Sequence, residues 1–335
     1  MSTSPRVSVV IPTYQRRASV ERALRALARQ TLPVDEYEVI LSIDGSDDGT
    51  REMATQLAAP YRLHVLWQPN RGRSAACNAG IGAASGWLLV LIDDDMEPAP
   101  SFVEAHRQAH PEGSRLAVVG AAPIIVDRSS PPVVQYIGRK FNRHLETLAT
   151  PDYRFRLTHF YSGNFSICRQ ILLELGGFDE DFTIYGNEDL ELSIRLAAAG
   201  VRIVYRADAV AYQHYTKDFG ALARDNIAKG RTAVLLAWKH PSAFQDLKLS
   251  TYEHASLKWR LARGALLGLT RVWSGATAVV IALVSRLQSC SPTRLQTYYT
   301  LALDYFYWVG ARAAQRDIRR SGAAALSTPV PEHRR

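Results

Sequence analysis

Cysteine is scarce in this chain. Three occur in 335 residues, Cys77, Cys168 and Cys290, odd in number and far apart. That spacing gives neither a disulfide framework nor a CxxC metal site. The first apolar run, Val7 to Ile11, is too short for a signal-peptide core and reads as a strand. In the C-terminal third, Val272 to Ser285 is 14 residues without a charge, flanked by Arg271 and Arg286. At about 1.5 Å per residue it would reach only roughly 21 Å, short of the ~30 Å hydrocarbon core. Extending it from Gly264 would bury Arg271, at about 2.5–3.5 kcal/mol. Internal repeats are absent. What is present is a 47% hydrophobic, 21% charged composition, which excludes wholesale disorder. The expectation is a reduced, intracellular protein with one large domain of about 200–250 residues and an appendage.

The formal charge of +8 is unevenly placed. Residues 1–215 carry 22 Lys and Arg against 25 Asp and Glu, whereas residues 216–335 carry 18 against 7. A near-neutral body with a basic C-terminal third points that third toward an anionic partner, lipid headgroups or nucleic acid.

Val7–Ile11, Glu38–Ile43, Leu63–Trp67 and Trp87–Ile92 are short apolar runs of the kind that form strands buried on both faces. Between the first two, Val20, Ala23, Leu24 and Leu27 have helical spacing, with Ser19 as the expected N-cap and Pro33 as a stop. A further helix is predicted after Gly49-Thr50, and another from Asn187, ending at Gly200. Strand–helix alternation of this kind predicts an α/β doubly wound sheet, whose ligands sit beyond the carboxyl ends of the strands.

The motifs directly after those strands therefore matter most. Pro12-Thr13-Tyr14 follows the first, and Asp44-Gly45-Ser46-Asp47-Asp48-Gly49-Thr50 the second. Asp44 is placed to accept hydrogen bonds from a base or ribose, or simply to begin an Asp-Gly turn. Asp93-Asp94-Asp95 follows the fourth strand. Three adjacent carboxylates repel one another unless a cation neutralises them, and a hard divalent ion uses one or two carboxylates plus substrate phosphates. The alternative is a solvated acidic turn. Glu188 and Asp189 sit in a predicted first helical turn, where the dipole favours the ionised form a general base needs, although acids are common there in any case. His214 is bracketed by strand residues at a sheet edge, where a structural role and a ligand role are both open.

In order and spacing, these segments resemble the family 2 inverting glycosyltransferases of GT-A fold. The resemblance rests on Val7–Tyr14, Asp44-Gly45-Ser46, Asn70-Arg71-Gly72, Ala76–Gly80, Asp93–Asp95, Gly177-Phe178-Asp179-Glu180 and Gly186–Leu192, and covers about residues 5–240. It implies a mixed, mostly parallel sheet with helices on both faces. A catalytic domain would fill residues 1–240, a helical region 241–320, and a disordered tail 321–335. The activity it implies is metal-dependent, inverting, non-processive transfer of one sugar from a nucleotide-diphosphate sugar, with UDP favoured over GDP and dTDP. Pro12, Tyr14 and Asp44 would hold the base, and Arg73 would reach the base or diphosphate. Asp93 and Asp95 would be the DxD pair binding Mg2+ or Mn2+, with Asp94 between them on the donor side. Asp95 would be the direct ligand and His214 a third contact. Gly163 and Asn164 would floor the donor sugar. Asp189 would be the base, with Glu188 steering acceptor hydroxyls.

Two positions depart from the pattern: Ile43 replaces an acid before Asp44, and Cys77 stands where Arg often precedes the Asn. The absence of a Gln-x-x-Arg-Trp motif argues for single addition rather than polymerisation. A nucleotidyltransferase and a non-catalytic, membrane-associated nucleotide-sugar-binding protein are the competing classes. The first lacks its Gly-rich basic loop after the first strand, and the second has no need of both acidic clusters. The expected partners are a nucleotide-sugar donor and an acceptor that is lipid-linked, protein or small molecule, with no nucleic acid. Leu295 to Val309 carries Tyr298, Tyr299, Tyr305, Phe306, Tyr307 and Trp308. Aromatics beside Arg suit a monotopic helix at headgroup level on the inner face of the cytoplasmic membrane. A helical subdomain packed on the core or in a homo-oligomer is the alternative.

Overall fold

A computed structural model describes residues 6–111, 113–151, 153–273, 275–287 and 292–321. Cys290 and the expected tail, apart from the backbone of Ser321, lie outside the described residues. Along the chain the elements are β1 Val7–Thr13, α1 Arg17–Leu27, β2 Tyr37–Asp44, α2 Thr50–Gln56, β3 Arg62–Gln68, α3 Arg73–Ala83 and β4 Leu88–Ile92. Then come β5 Met96–Pro98, α4 Phe102–Gln108, β6 Leu116–Ala121, α5 Pro132–Leu148, β7 Asn164–Cys168, α6 Arg169–Glu174, α7 Glu188–Ala198 and β8 Arg202–Gln213. The helices α8 Phe219–Lys239, α9 Leu257–Val272, α10 Ala276–Arg286 and α11 Pro292–Ser321 follow.

The eight strands form one mixed sheet in the order β3-β2-β1-β4-β7-β6-β8-β5. The first four are parallel, β7 runs antiparallel to β4 and β6, β8 is parallel to β6, and β5 is antiparallel to β8. Every residue of β1, β2 and β4 is buried. Strand alternation sends Val9, Ile11, Leu41 and Val90 to one face with Leu24 and Phe102. Val10, Ile40, Leu89 and Leu91 go to the other, with Cys77, Phe165 and Leu192. The doubly wound expectation holds, with both faces covered.

The predicted cap at Ser19 is not used. α1 starts at Arg17, and the Arg17 N–H donates to Asp48 Oδ2 at 2.9 Å. Asp48 Oδ1 accepts from the Thr50 N–H at 3.1 Å, so one carboxylate satisfies the first amides of both α1 and α2. Gly200, with φ of 71°, closes α7 as predicted: its N–H bonds Ala197 O, and Val201 N–H bonds Leu196 O, both at 3.0 Å.

Compact units divide at Tyr215–Thr216. One comprises the chain to Asp127, Ile137–Glu180 and Glu188–Tyr215, and the other Arg128–Tyr136, Asp181–Asn187 and everything from Thr216. α8 is thus grouped with the C-terminal helices. Within that second unit α8 and α11 cross at glycines: a methyl on Gly230 would strike the Tyr307 carbonyl, and one on Gly310 the Ile227 carbonyl. Tyr299, Tyr305, Phe306, Tyr307 and Trp308 are all buried, and Phe219 stacks on Tyr299 with ring centres 5.0 Å apart. Those five aromatics of the expected headgroup belt fill helix packing, and Tyr298 alone of the six is exposed. No described helix is long and apolar enough to cross a membrane.

Gly230→Ala meets backbone rather than a movable side chain, so overpacking of about 1–3 kcal/mol is expected. Thermal unfolding of the full chain checks it. A midpoint unchanged from wild type would show that α8 and α11 are not in contact at this point.

Candidate active site

The carboxyl ends of β1, β2 and β4 and the start of the antiparallel β7 lie at one edge of the sheet. Ile92 pairs with Asn164, which puts Asp93 beside Gly163. The Asp93 N–H donates to Gly163 O at 3.0 Å, and a side chain at 163 would run into the Asp93 carboxylate. β5 leaves this edge antiparallel to β8, pairing Met96 with Gln213, and the His214 N–H reaches Asp95 O at 2.9 Å. Backbone pairing therefore brings the aspartate triplet, the 162–164 loop and His214 together from three stretches of chain.

Arg73, the first residue of α3, occupies the middle. Its Nη2 donates to Asp93 Oδ1 at 2.6 Å, and its Nη1 to Ser162 Oγ at 2.9 Å. Nη1 also lies 3.8 Å from Asp189 Oδ1 and 3.9 Å from Glu188 Oε1, while the Phe178 ring stands 5.8 Å from the guanidinium carbon. Ser162 Oγ–H in turn donates to Asp189 Oδ1. The acid pair that opens α7 and the first aspartate of the triplet thus share one cation. Burial raises the Asp189 carboxyl above its ordinary value, against the opposing pull of Arg73 and Ser162. Burial likewise pushes Asp94 up to about 7, although Thr13 Oγ1 donates to its Oδ2 at 2.7 Å.

The expected donor residues fall into two groups. Pro12 is buried within β1, and Tyr14 presents an exposed ring just beyond it. Asp44 is buried at the end of β2, where its carboxylate accepts from the N–H groups of Arg71 at 2.9 Å and Gly72 at 2.8 Å and from Gln68 Nε2 at 2.8 Å. Its visible work is to shape the Asn70-Arg71-Gly72 loop that leads into Arg73. Asn164 has been turned inward. Its Nδ2 donates to Ala121 O and Ala209 O at 2.8 and 2.9 Å, and its Oδ1 accepts from His106 Nε2 at 2.8 Å. With the side chain fully buried and both ends engaged, its task is inside the sheet, whereas Gly163 stays at the Asp93 side. Cys77 is also core: burial raises its thiol to about 12, so it is no nucleophile.

Of the three side chains expected at a metal, Asp93 is paired with Arg73 and His214 Nε2 with Glu97 Oε2 at 2.8 Å. Asp95 accepts from the Gln213 amide at 3.2 and 3.3 Å. Among the described residues, no three His, Cys, Asp or Glu side chains are gathered to hold an ion unaided. The donor set fits a hard divalent cation that takes part of its shell from a substrate diphosphate, not a closed protein cage.

Ser162, Thr13, Phe178 and Asn78 were not singled out as site residues by the sequence. Asn78 donates from Nδ2 to Phe178 O at 2.9 Å and accepts the Phe178 N–H at 2.8 Å, tying the Gly177-Phe178 turn to α3. Thr13, Asn78 and Phe178 lie within the quoted motifs, but their bridging roles depend on partners distant in sequence and are not local properties.

A family profile described as glycosyl transferase family 2 matches residues 8–176, half of the chain. A second, described as N-terminal domain of galactosyltransferase, matches residues 143–218. The chain is 32% identical over 221 residues to a validoxylamine A glucosyltransferase of Streptomyces hygroscopicus subsp. jinggangensis, covering 59% of this chain and 52% of the relative. It spans about half the length of the curated relatives it matches first. Among solved structures, the mannosyltransferase PcManGT of Pyrobaculum calidifontis with GDP-Man and Mn2+ is similar at a TM-score of 0.56 and 24% identity, covering 92% of this chain and 88% of that one. TarS 1–349 of S. aureus with UDP-GlcNAc is similar at 0.52 and 15%, covering 92% of each chain. At such identities these two likenesses speak for the fold.

The buried relay behind the site yields a stability prediction. His110 Nε2 bonds Ser166 Oγ at 2.8 Å, and Ser166 bonds His106 Nδ1 at 2.7 Å. Burial holds both imidazoles neutral, with each lowered to about 4. Their contribution is complete above about pH 6.5 and is lost as pH falls toward 4, at about 1.4 kcal/mol per histidine per pH unit at most. Unfolding midpoints measured from pH 7.5 to 5 should fall steeply, and His110→Gln should shallow that slope. An equal slope in the variant would remove His110 from the relay.

Proposed function

The chain belongs to glycosyltransferase family 2, and from that premise we propose that it moves one sugar per cycle from a nucleoside-diphosphate sugar to an acceptor hydroxyl, inverting the anomeric carbon. UDP is the nucleotide we favour. The observation that carries this reading is the Arg73 bridge, which keeps Asp93 and Asp189 within reach of the same guanidinium. A leaving diphosphate and an attacking hydroxyl must meet at one sugar carbon, so the groups serving each must open on the same place.

In this reading Tyr14 lies against the base and Asp44 holds the loop beside it. Asp95 and Asp93 would bind Mg2+ or Mn2+, which would supply positive charge to the leaving diphosphate. His214 supports the turn through Glu97 and the Asp95 carbonyl. Arg73 adds a fixed cation beside the phosphates. Asp189 takes the acceptor proton as the oxygen attacks the anomeric carbon. The bond from that carbon to the diphosphate oxygen breaks with its electron pair, releasing nucleoside diphosphate with no covalent enzyme intermediate. Ser162 keeps the Asp189 oxygen aimed and ionised, and Glu188 stands beside it for the acceptor. Residues 1–240 carry catalysis in this scheme, and residues 241–320 do not take part in the chemistry.

The assay is release of free nucleoside diphosphate from a panel of nucleotide sugars, with and without Mn2+ or Mg2+. Asp189→Asn should lower kcat by about 10²–10⁴-fold while nucleotide sugars still raise the thermal midpoint. No release and no thermal shift with any nucleotide sugar would refute the reading.

The pH profile is a second check. Activity should fall on the acid side as Asp189 is protonated, with that limb above the ordinary carboxylate range because burial raises the group. Ser162→Ala removes a hydrogen bond that favours the ionised form, so the limb should move to higher pH. A profile that stays put in Ser162→Ala would mean another group is the base.

A further inference from the structure

The second unit contains a helix folded inside out. α9 buries Arg263, 1% exposed, and leaves Leu257 at 67%, Leu261 at 68% and Val272 at 87%. Surface helices ordinarily do the reverse. Leu267 is buried on the inward side too, but the polar groups there are held by polar partners. Arg263 Nη1 and Trp259 Nε1 both donate to Asp304 Oδ2, at 2.8 and 2.7 Å, Lys248 Nζ pairs with Asp304 Oδ1 at 2.9 Å, and Arg263 Nη2 donates to Tyr252 O at 2.6 Å. With that face committed to Asp304, the Leu257, Leu261 and Val272 side chains stay exposed among the described residues.

α10 continues the pattern, with Val279 and Leu283 exposed, and Trp273 stands half-exposed in the turn between the two helices. Exposed apolar side chains on two successive helices mark an interaction surface. The charge around it says which kind. Between Glu253 and Asp304 the chain has no acidic residue and six cations. Lys258, Arg271 and Arg286 are exposed with no ion-pair partner among the described residues. A protein partner of ordinary composition would not require one sign of charge over such a length, whereas an anionic lipid surface does. Leu and Val enter the acyl boundary, Trp sits at headgroup depth, and Lys and Arg meet phosphates. The geometry also limits the depth: α9, at about 1.5 Å per residue, extends only about 24 Å and cannot span.

We propose that the exposed face of α9 and α10, Leu257, Leu261, Leu269, Val272, Val279 and Leu283 ringed by Lys258, Arg271 and Arg286, docks this protein in the plane of an anionic lipid bilayer. The proposal is independent of the chemistry proposed above.

Flotation of the full chain with vesicles tests it, using phosphatidylcholine alone and phosphatidylcholine with about one third phosphatidylglycerol. The chain should float with the anionic vesicles, stay behind with the neutral ones, and be released by high salt. Leu261→Glu/Val272→Glu should abolish flotation with the unfolding midpoint unchanged, since neither side chain touches the core. Lys258→Gln, Arg271→Gln and Arg286→Gln should each weaken partitioning by about fivefold. Failure to float on anionic vesicles overturns the proposal, as does flotation unaffected by Leu261→Glu/Val272→Glu. A lipid-free dimer that these two substitutions split into monomers would assign the face to a second copy instead.

Discussion

Arg73 holds the candidate site together because its position and its charge serve different neighbours at once. As the first residue of α3 it is delivered by the loop that Asp44 ties through the Arg71 and Gly72 amides. Its guanidinium then satisfies Asp93 and Ser162 directly and lies under 4 Å from Glu188 and Asp189. Three acidic side chains near one another would otherwise repel across a partly desolvated space. One planar cation with several donors relieves that repulsion in a fixed geometry, which a lysine on a flexible stem would do less well.

Behind the arginine, the strand-end loops are shaped by carboxylates bound to backbone amides. Asp44 satisfies loop N–H groups, and Asp48 satisfies the first amides of two helices. Both belong to a segment whose acidic character reads as ligand-binding when seen in isolation. In the fold, part of that acidity is structural: unpaired amides at helix starts and tight turns need acceptors, and a carboxylate is the strongest available. Asn164 follows the same logic, since an amide buried beside β6 and β8 must bond both ways or destabilise the sheet.

The helical unit places its polar and apolar groups by a different rule. Asp304 sits among Arg263, Lys248 and Trp259, and the aromatic run of α11 packs against α8. Aromatic residues that look suited to a lipid interface are therefore spent on internal packing, and the exposed apolar surface comes from α9 and α10. Composition alone cannot separate these cases. A charge-free run and an aromatic run both enrich a segment in apolar area, and only the packing of neighbouring helices decides which area remains open.

The doubly wound core was legible because continuous apolar strands and helically spaced Val20, Ala23, Leu24 and Leu27 follow from period and burial, which are local properties. The strand-end positions of Asp44, Asp93 and Tyr14 followed for the same reason. Gly200 was legible as a helix stop because a left-handed residue there favours glycine. Ser19 misled because the first amide of α1 found a carboxylate 31 residues away. What the amino-acid order determined by itself is the sheet, its two covered faces and the strand ends at which carboxylates collect. Only the tertiary structure decided that Arg73 and Ser162 join Asp93 to Asp189, that Asn164 turns inward, and which helix face stays bare. Those outcomes depend on contacts between residues distant in sequence, and no local pattern encodes a distance across the fold.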